Sequence, residues 1–355
     1  ERARWGRSVK GIPVKLLQST RLAGLALATA LLATACGGGT ATEDETTPAA
    51  GGETTTAAEA GESVTIGITQ IVAHPSLDAS RDGFKAALAD AGYNVIWDEQ
   101  NAQGDQSTAA SIAGTFASAD LDLVLAIATP TAQAALQAIT DVPILFTAVT
   151  DPVSADLVES LEAPGGNATG TSDANPVKEQ LELVQRLKPE ATRVGIVYSS
   201  GEVNSQVQVD WAKEAADELG LEIVEATVST SAEVQQAAES LDVDAFYVPT
   251  DNTVVSALES IIQVAEDKQI LTIAAEGDSV ARGTVATYGI SYYDLGYQTG
   301  EMAVRILTGE AEPATMPVET QSDLQLYLNL DAAQRMGVTI PEDLLAEADP
   351  ENITE

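Results

Sequence analysis

Thr129, Thr147, Asp151, Ser199, Asp251 and Glu276 are hydroxyls and carboxylates that fall where aliphatic runs stop. The runs are "LVLAIATPT" (123–131), "VPILFTAVTDP" (142–152), "VGIVYSSGEVN" (194–204), "AFYVPTDN" (245–252) and "LTIAAEGD" (271–278). Carboxylates at such places can hold a cation, and hydroxyls and amides can hold an anion. Shared endings on five buried strands suggest one shared binding site.

The same residues do not make an enzyme. There is no G-x-S-x-G elbow, no Walker loop and no HExxH pattern, and "GGNATG" (165–170) is a poor dinucleotide fingerprint. His74 is the only histidine and Cys36 the only cysteine, so neither has the partners a catalytic or metal site needs. No cofactor and no metal are expected.

The elements that must position these groups are read from periodicity. Strand "VTIGITQ" (64–70) is followed by a helix over Ser76–Ala91, with Phe84, Ala87, Leu88 and Ala91 on one face. "NVIWDEQ", helix Gln106–Ser118, "LDLVLAIA", helix Pro130–Ile139 and "VPILFTAV" continue the winding. The Gly, Asn, Thr and Ser of "PGGNATGTSDAN" (164–175) read as a crossing between two lobes. A second winding follows: helices Pro176–Leu187, Val203–Leu219, Ala232–Leu241 and Asn252–Asp267 alternate with strands "RVGIVYS", "EIVEATV", "DAFYVPT" and "ILTIAA". Residues 285–309 read as a strand, a crossing and a long helix, and "LQLYLNL" (324–330) as a late strand before a short helix, Ala332–Met336. The fold class is α/β, with two doubly wound parallel-sheet lobes and a ligand cleft between them, since ligands sit outside the carboxyl ends of such strands. Helices starting near Pro130, Val203 and Asn252 would add N–H groups suited to a carboxylate.

Composition agrees with this build. The 355 residues are 45% hydrophobic but only 4% aromatic, which favours helices on aliphatic parallel strands. The formal net charge is −37, and six of the 17 basic residues lie before position 22. A product starting at Cys36 keeps 11 basic and 53 acidic residues, a net charge of −42. Such a surface repels nucleic acid and anionic head groups, so no nucleic-acid partner is expected.

The N-terminus reads as an address. A basic region precedes Leu22–Ala35, an apolar run of 14 residues that ends at Cys36. A membrane span needs about 20 residues, whereas this length suits a signal peptide. "RLAGLALATALLATACGGG" resembles a bacterial lipoprotein signal, with Ala33 in place of the usual Leu and Leu32 one place earlier. That resemblance implies cleavage before Cys36 and lipidation of its thiol. Residues 37–62 contain no large apolar residue and read as a disordered tether. Anchor, tether and body together imply an extracytoplasmic protein held at the cell membrane by Cys36.

"NAQGDQS" (101–107), "IATPTAQ" (127–133), "ILFTAVTDPVSADLV" (144–158), "PGGNATGTSD" (164–173), "YVPTDNTV" (247–254) and "ATYGISYYDLGYQTGEMAVRIL" (286–307) resemble an ABC-importer family of substrate-binding proteins. Its best-understood members bind tryptophan, phenylalanine or tyrosine. The resemblance covers about 62–340. It implies a type I periplasmic-binding-protein fold with three inter-lobe crossings. The lobes are then 63–170 plus about 288–318, and 171–287 plus about 319–345, with 346–355 a tail. It also implies an ABC permease and its ATPase as partners and an aromatic amino acid as the favoured ligand. A binding-only sensor domain working with a separate membrane partner is the alternative.

A free amino acid offers an ammonium and a carboxylate. Asp251 is favoured for the ammonium, with Glu276 and Asp173 as competitors. Asp251 reads equally as the cap of the helix starting at Asn252, and the two roles are compatible. Thr129 and Thr147 with their neighbouring amides, and Asn252 at its helix start, suit the carboxylate. Asp151, which precedes Pro152, either binds or fixes the turn. Thr171, Ser172 and Asp173 lie at the proposed crossing and can both flex and touch ligand. His74 lies at the cleft mouth, and Asn204 is a further candidate. Among Phe146, Tyr198, Tyr288 and Tyr292, all near strand ends, Tyr288 is the preferred stacking residue. Trp211 reads as packing.

Overall fold

The computed structural model describes residues 63–355. The leader, Cys36 and the tether lie outside the described residues.

The first sheet is built from β1 (Val64–Gln70), β2 (Val95–Asn101), β3 (Leu123–Ile127), β4 (Ile144–Val149), β5 (Ala168–Ser172) and the short β11 (Glu319–Thr320). All pairings are parallel, in the order β11-β5-β4-β3-β1-β2. β3 and β4 are buried along their whole length. Helices cover both of their faces, so both faces of each strand must be apolar. β2, at the edge, has only half-buried and exposed residues.

The second sheet contains β6 (Arg193–Ser199), β7 (Glu222–Val228), β8 (Ala245–Val248), β9 (Leu271–Ala274), β10 (Ala286–Gly289), β12 (Gln325–Asn329) and β13 (Ile353–Thr354). Its order is β13-β12-β10-β9-β8-β6-β7, parallel except where β10 meets β12. The chain passes between sheets after β5, after β10 and after β11, which makes three crossings.

Four details differ from the sequence reading. The 164–175 crossing contains β5, a buried strand of the first sheet. Its "ATGTS" has no branched aliphatic residue; hydroxyls replace them, with Thr169 Oγ1 donating to the Met316 carbonyl at 2.8 Å. The expected helix Asn252–Asp267 is broken into α7 (Asn252–Val255) and α8 (Leu258–Lys268). Gly277–Arg282 forms a further short helix, α9. The expected tail carries β13, which pairs with β12.

Two long helices place the site. α1 (Pro75–Asp90) and α10 (Tyr292–Leu307) cross the first sheet in direct backbone contact. A Cβ on Gly296 would lie 1.9 Å from the Ser80 carbonyl oxygen, and one on Gly83 would lie 2.0 Å from that of Tyr293. The Ser80 hydroxyl donates to the Tyr292 carbonyl at 3.1 Å. Gly296→Ala is therefore expected to cost about 1–3 kcal/mol by overpacking, a fall in melting temperature of about 2–4 °C per kcal/mol. Gly114→Ala, with nothing within 4 Å, is the control and should be neutral or stabilising. Equal melting curves for Gly296→Ala and wild type would refute the close-contact argument.

Candidate ligand site

The carboxyl ends of the two sheets face each other and meet. Thr150, after β4, shares a hydrogen bond with Thr250, after β8 (Oγ1 to Oγ1, 3.3 Å). Gln106 Nε2 of the first lobe donates to the Gly201 carbonyl of the second at 3.0 Å. Between the lobes lies a small cavity of about 10 Å³, the room of one water. A groove of about 590 Å³ opens at the β2, β6 and β7 side, and Asn252 lines both spaces.

Two buried carboxylates face the cavity. Asp173 follows β5 and is 2% exposed. Its Oδ2 accepts the Tyr292 hydroxyl at 2.5 Å, and its Oδ1 has no partner. Burial pushes this carboxyl above its ordinary range, against the pull of the Tyr292 hydroxyl. Glu276 caps α9, accepting the Ser279 amide at 3.0 and 3.1 Å and the Ser279 hydroxyl. Burial, then the neighbouring Asp278, push it up to about 7.

The opposite wall supplies donors. α1 starts at Pro75, and its N-cap residue, His74, makes no capping bond. The Ser76 and Leu77 amides therefore reach no acceptor among the described residues. Ser76 Oγ and His74 Nδ1 are likewise buried without a completed hydrogen bond. Burial and Arg282 lower the His74 pKa to about 4, so the ring is neutral near pH 7. Leu77, Ala148, Val255 and the Tyr292 ring give the cavity its apolar walls. Ala148 adopts φ 55 and Ala128 φ 81 at the ends of β4 and β3. Such backbone costs of order 1–3 kcal/mol in a non-glycine residue and gathers at binding sites.

The structure brings His74, Asp173, Asn252 and Glu276 together at the cavity. Asp251 lies behind them, 0% exposed. Its Oδ2 accepts the Ser199 amide (2.6 Å) and the Ser205 hydroxyl (2.7 Å), and its Oδ1 the Val254 amide (2.7 Å). Of its two readings, the cap is the one these bonds describe. Asn204 donates to Glu202 at 3.2 Å and to the Thr250 carbonyl at 2.9 Å. Thr171 bonds Thr147 (3.1 Å) and Thr299 (2.8 Å) under α10. Ser172 donates to the Thr150 carbonyl at 2.9 Å. Asp151 fixes its turn by accepting the Val153 and Ser154 amides at 3.1 and 3.0 Å. Thr129 is buried at the start of the helix Thr129–Ala138 with its hydroxyl unpartnered, and it does not line the cavity.

Tyr288 is elsewhere. Its hydroxyl accepts from Arg186 at 2.8 Å and bonds Glu347, and its ring packs on the second lobe's core. Tyr292, four residues on, is the tyrosine at the cavity. Sequence reasoning also missed Ser76, Thr250 and the positioning carboxylate Glu202. For Ser76 the signal was present: "HPS" after a strand puts Pro in a helix's first turn beside uncapped amides. Among the described residues no group of three or more His, Cys, Asp or Glu is arranged to hold a metal ion.

Known proteins share this frame. A tyrosine-binding protein of Clostridioides difficile (strain R20291) is 46% identical over 279 residues, 77% of this chain and 81% of that protein. A solved L-Trp complex from Streptococcus pneumonia is 37% identical, with a TM-score of 0.79 over 83% of this chain and 100% of that one. A ligand-free, open substrate-binding protein with adhesive properties from Clostridium difficile is 47% identical, with a TM-score of 0.62 over 82% and 98%. The less identical, ligand-bound structure superposes better than the more identical open one, so the lobes here stand in a closed arrangement. The frame is type I periplasmic-binding-protein-like, and the L-Trp complex shows one relative with a small ligand bound. The model of the family described as ABC transporter substrate binding protein matches residues 65–351. The chain belongs to that family of small-ligand-binding proteins.

Proposed function

We propose that this protein captures an aromatic amino acid between its lobes, outside the cytoplasmic membrane, and delivers it to an ABC permease and its ATPase. The observation that carries the reading is a set of unpartnered buried atoms from facing walls of one cavity: Asp173 Oδ1 on one side, Ser76 Oγ and His74 Nδ1 on the other. A buried polar group left unpaired costs about 1–3 kcal/mol. A zwitterion satisfies both walls at once. Its ammonium pairs with Asp173 and Glu276, and its carboxylate with the α1 amides, Ser76 and His74. The relatives' ligands, tyrosine and L-Trp, support an aromatic side chain for it.

A cavity of about 10 Å³ admits no amino acid while shut. Binding is therefore opening, capture and closure, with the ligand favouring the closed state by its contacts to both lobes. The test is thermal unfolding of residues 61–355 titrated with each of the twenty amino acids. At about 100 times Kd a cleft ligand adds roughly 2.7 kcal/mol, and Tyr, Trp or Phe should produce that rise. No rise with any amino acid would overturn the ligand assignment.

The lipid anchor at Cys36 is part of the same proposal. No helix among the described residues is long and apolar enough to cross a membrane, and a single lipidated cysteine would hold the body at the surface. Cys36→Ser should move the protein from the membrane fraction to the medium, and mass spectrometry of the mature N-terminus should find a diacylglyceryl group on Cys36. An unmodified N-terminus would refute the anchor.

A further inference from the structure

The two lobes touch at a buried polar point beside the cavity. Thr150 follows β4 in the first lobe and is 2% exposed. Thr250 follows β8 in the second. Gln208, fully buried on the helix Val203–Leu219 of the second lobe, lies against both. Its Nε2 donates to Thr250 Oγ1 and, at 3.4 Å, to Thr150 Oγ1, and the two hydroxyls share their own bond at 3.3 Å.

Each half of this contact is built within its own lobe. On the second lobe the Thr250 amide donates to Gln208 Oε1 at 3.1 Å, and Asn204 Nδ2 donates to the Thr250 carbonyl at 2.9 Å. The first of these bonds fixes the Gln208 amide, because turning it over would set two N–H donors face to face. Nε2 therefore has to face the hydroxyls. On the first lobe the Ser172 hydroxyl donates to the Thr150 carbonyl at 2.9 Å, and the Asp173 amide to the Val149 carbonyl at 3.2 Å. The segment carrying Thr150 is thus tied to the one carrying Asp173.

Opening the cleft parts Thr150 from Thr250 and Gln208 and leaves the bonds within each lobe in place. Two preorganised surfaces lose little side-chain freedom on meeting, so most of the gain from their hydrogen bonds is kept. The bond between Gln106 and the Gly201 carbonyl also joins the lobes, but it is exposed and competes with water. Thr150 and Gln208 do not line the cavity. A contact made only in the closed arrangement, by residues away from the ligand, favours closure by the same factor whatever is bound.

We propose that Thr150, Thr250 and Gln208 form a closure latch. They hold the ligand-free protein closed for a measurable fraction of the time, and they scale affinity for all ligands together without choosing among them. The affinity half rests on the amino-acid reading above, whereas the closure half is read with no ligand present.

The test is the distance between the lobes of the ligand-free protein, measured by electron–electron resonance. Spin labels go on Gly114→Cys and Glu239→Cys, exposed positions on the helices Gln106–Phe116 and Val234–Ser240 of the first and second lobes. Cys36→Ser removes the only other thiol. With the latch intact, a closed and an open population should both appear. Thr150→Val keeps the side chain's shape, removes its hydroxyl, and should move the closed-to-open ratio about 3–10-fold toward open. Gln208→Met should act alike by itself but add less than about twofold in the presence of Thr150→Val. Calorimetry on Thr150→Val should find affinity lowered by no more than the shift in the ratio, and equally for Tyr, Trp and Phe. Distances unchanged by Thr150→Val would overturn the latch, and that variant alone decides if Gln208→Met does not fold. A wholly open protein with the latch intact would overturn it too, as would a change in the relative affinities of the three ligands. A protein that binds none of the three removes the amino-acid reading and leaves the distance result to judge the latch.

Discussion

Asp173→Asn is expected to weaken amino-acid binding about 10²–10³-fold while leaving the ligand-free protein at least as stable as wild type. The two halves of this expectation have one cause. Asp173 is almost fully buried, receives one hydroxyl, and keeps Oδ1 free. In the ligand-free protein that is a desolvated carboxylate with too few donors, and burial raises its pKa for that reason. Asparagine keeps the shape and the acceptor for Tyr292, and it removes the charge. The ligand loses the counter-ion of its ammonium, and breaking a buried charge pair costs about 3–5 kcal/mol. Calorimetry gives the affinity and thermal unfolding the stability of the same sample. Asp251→Asn should do the reverse. Asp251 accepts three hydrogen bonds that tie β6 to α7, so its loss acts on the fold first. If Asp251→Asn destroyed binding in a stable protein while Asp173→Asn did not, the assignment of the ammonium would be wrong.

That contrast shows what the sequence could and could not carry. Aspartates 173 and 251 look alike in sequence, each directly following a hydroxyl residue, Ser172 and Thr250. What separates them is how many donors fold around each. For Asp251 these come from Ser199 and Ser205, 52 and 46 residues away, and from its own helix. Local spacing does not encode such contacts. The two tyrosines differ in the same way. Tyr288 lies on β10 facing α4 (Val177–Leu187) and the C-terminal helix Glu342–Glu347, whereas Tyr292 opens α10 with its hydroxyl on Asp173. The strands β3 and β4 were legible because burial on both faces demands unbroken aliphatic runs. β5 was not, because Thr and Ser there trade hydrogen bonds in place of apolar contacts. Strand ends advertise a cleft reliably. Which side chain at each end is a cap and which is free for a ligand is settled by donors that distant parts of the chain bring to it within its own lobe.

The second large effect is a pH dependence with opposite signs for the free and the ligand-bound protein. Glu276 has an ordinary value of 4.5, and burial followed by Asp278 raises it to about 7 in the fold. Between those values the folded state keeps a proton that the unfolded chain has released, so stability falls as pH rises through that window. The gap corresponds to about 3 kcal/mol, and Asp173 is raised in the same direction. The ligand-free protein should thus be more stable near pH 5 than near pH 8. Self-repulsion of a chain with net charge −37 also grows with pH. The quantity to compare is therefore the slope difference between wild type and Glu276→Gln, measured by urea unfolding across this range. Glutamine keeps an acceptor for Ser279 but cannot titrate, so its slope should be shallower. The bound state behaves otherwise. An ammonium beside Asp173 and Glu276 stabilises their ionised forms, so binding expels protons and affinity should rise from pH 5 to pH 8. Calorimetry in buffers of different ionisation enthalpy counts those protons. Identical slopes for wild type and Glu276→Gln, together with no proton release, would place the ligand's ammonium away from these carboxylates. Proton release that persists in Glu276→Gln but vanishes in Asp173→Asn would instead assign the titrating partner to Asp173 alone, with Glu276 left as the cap of α9.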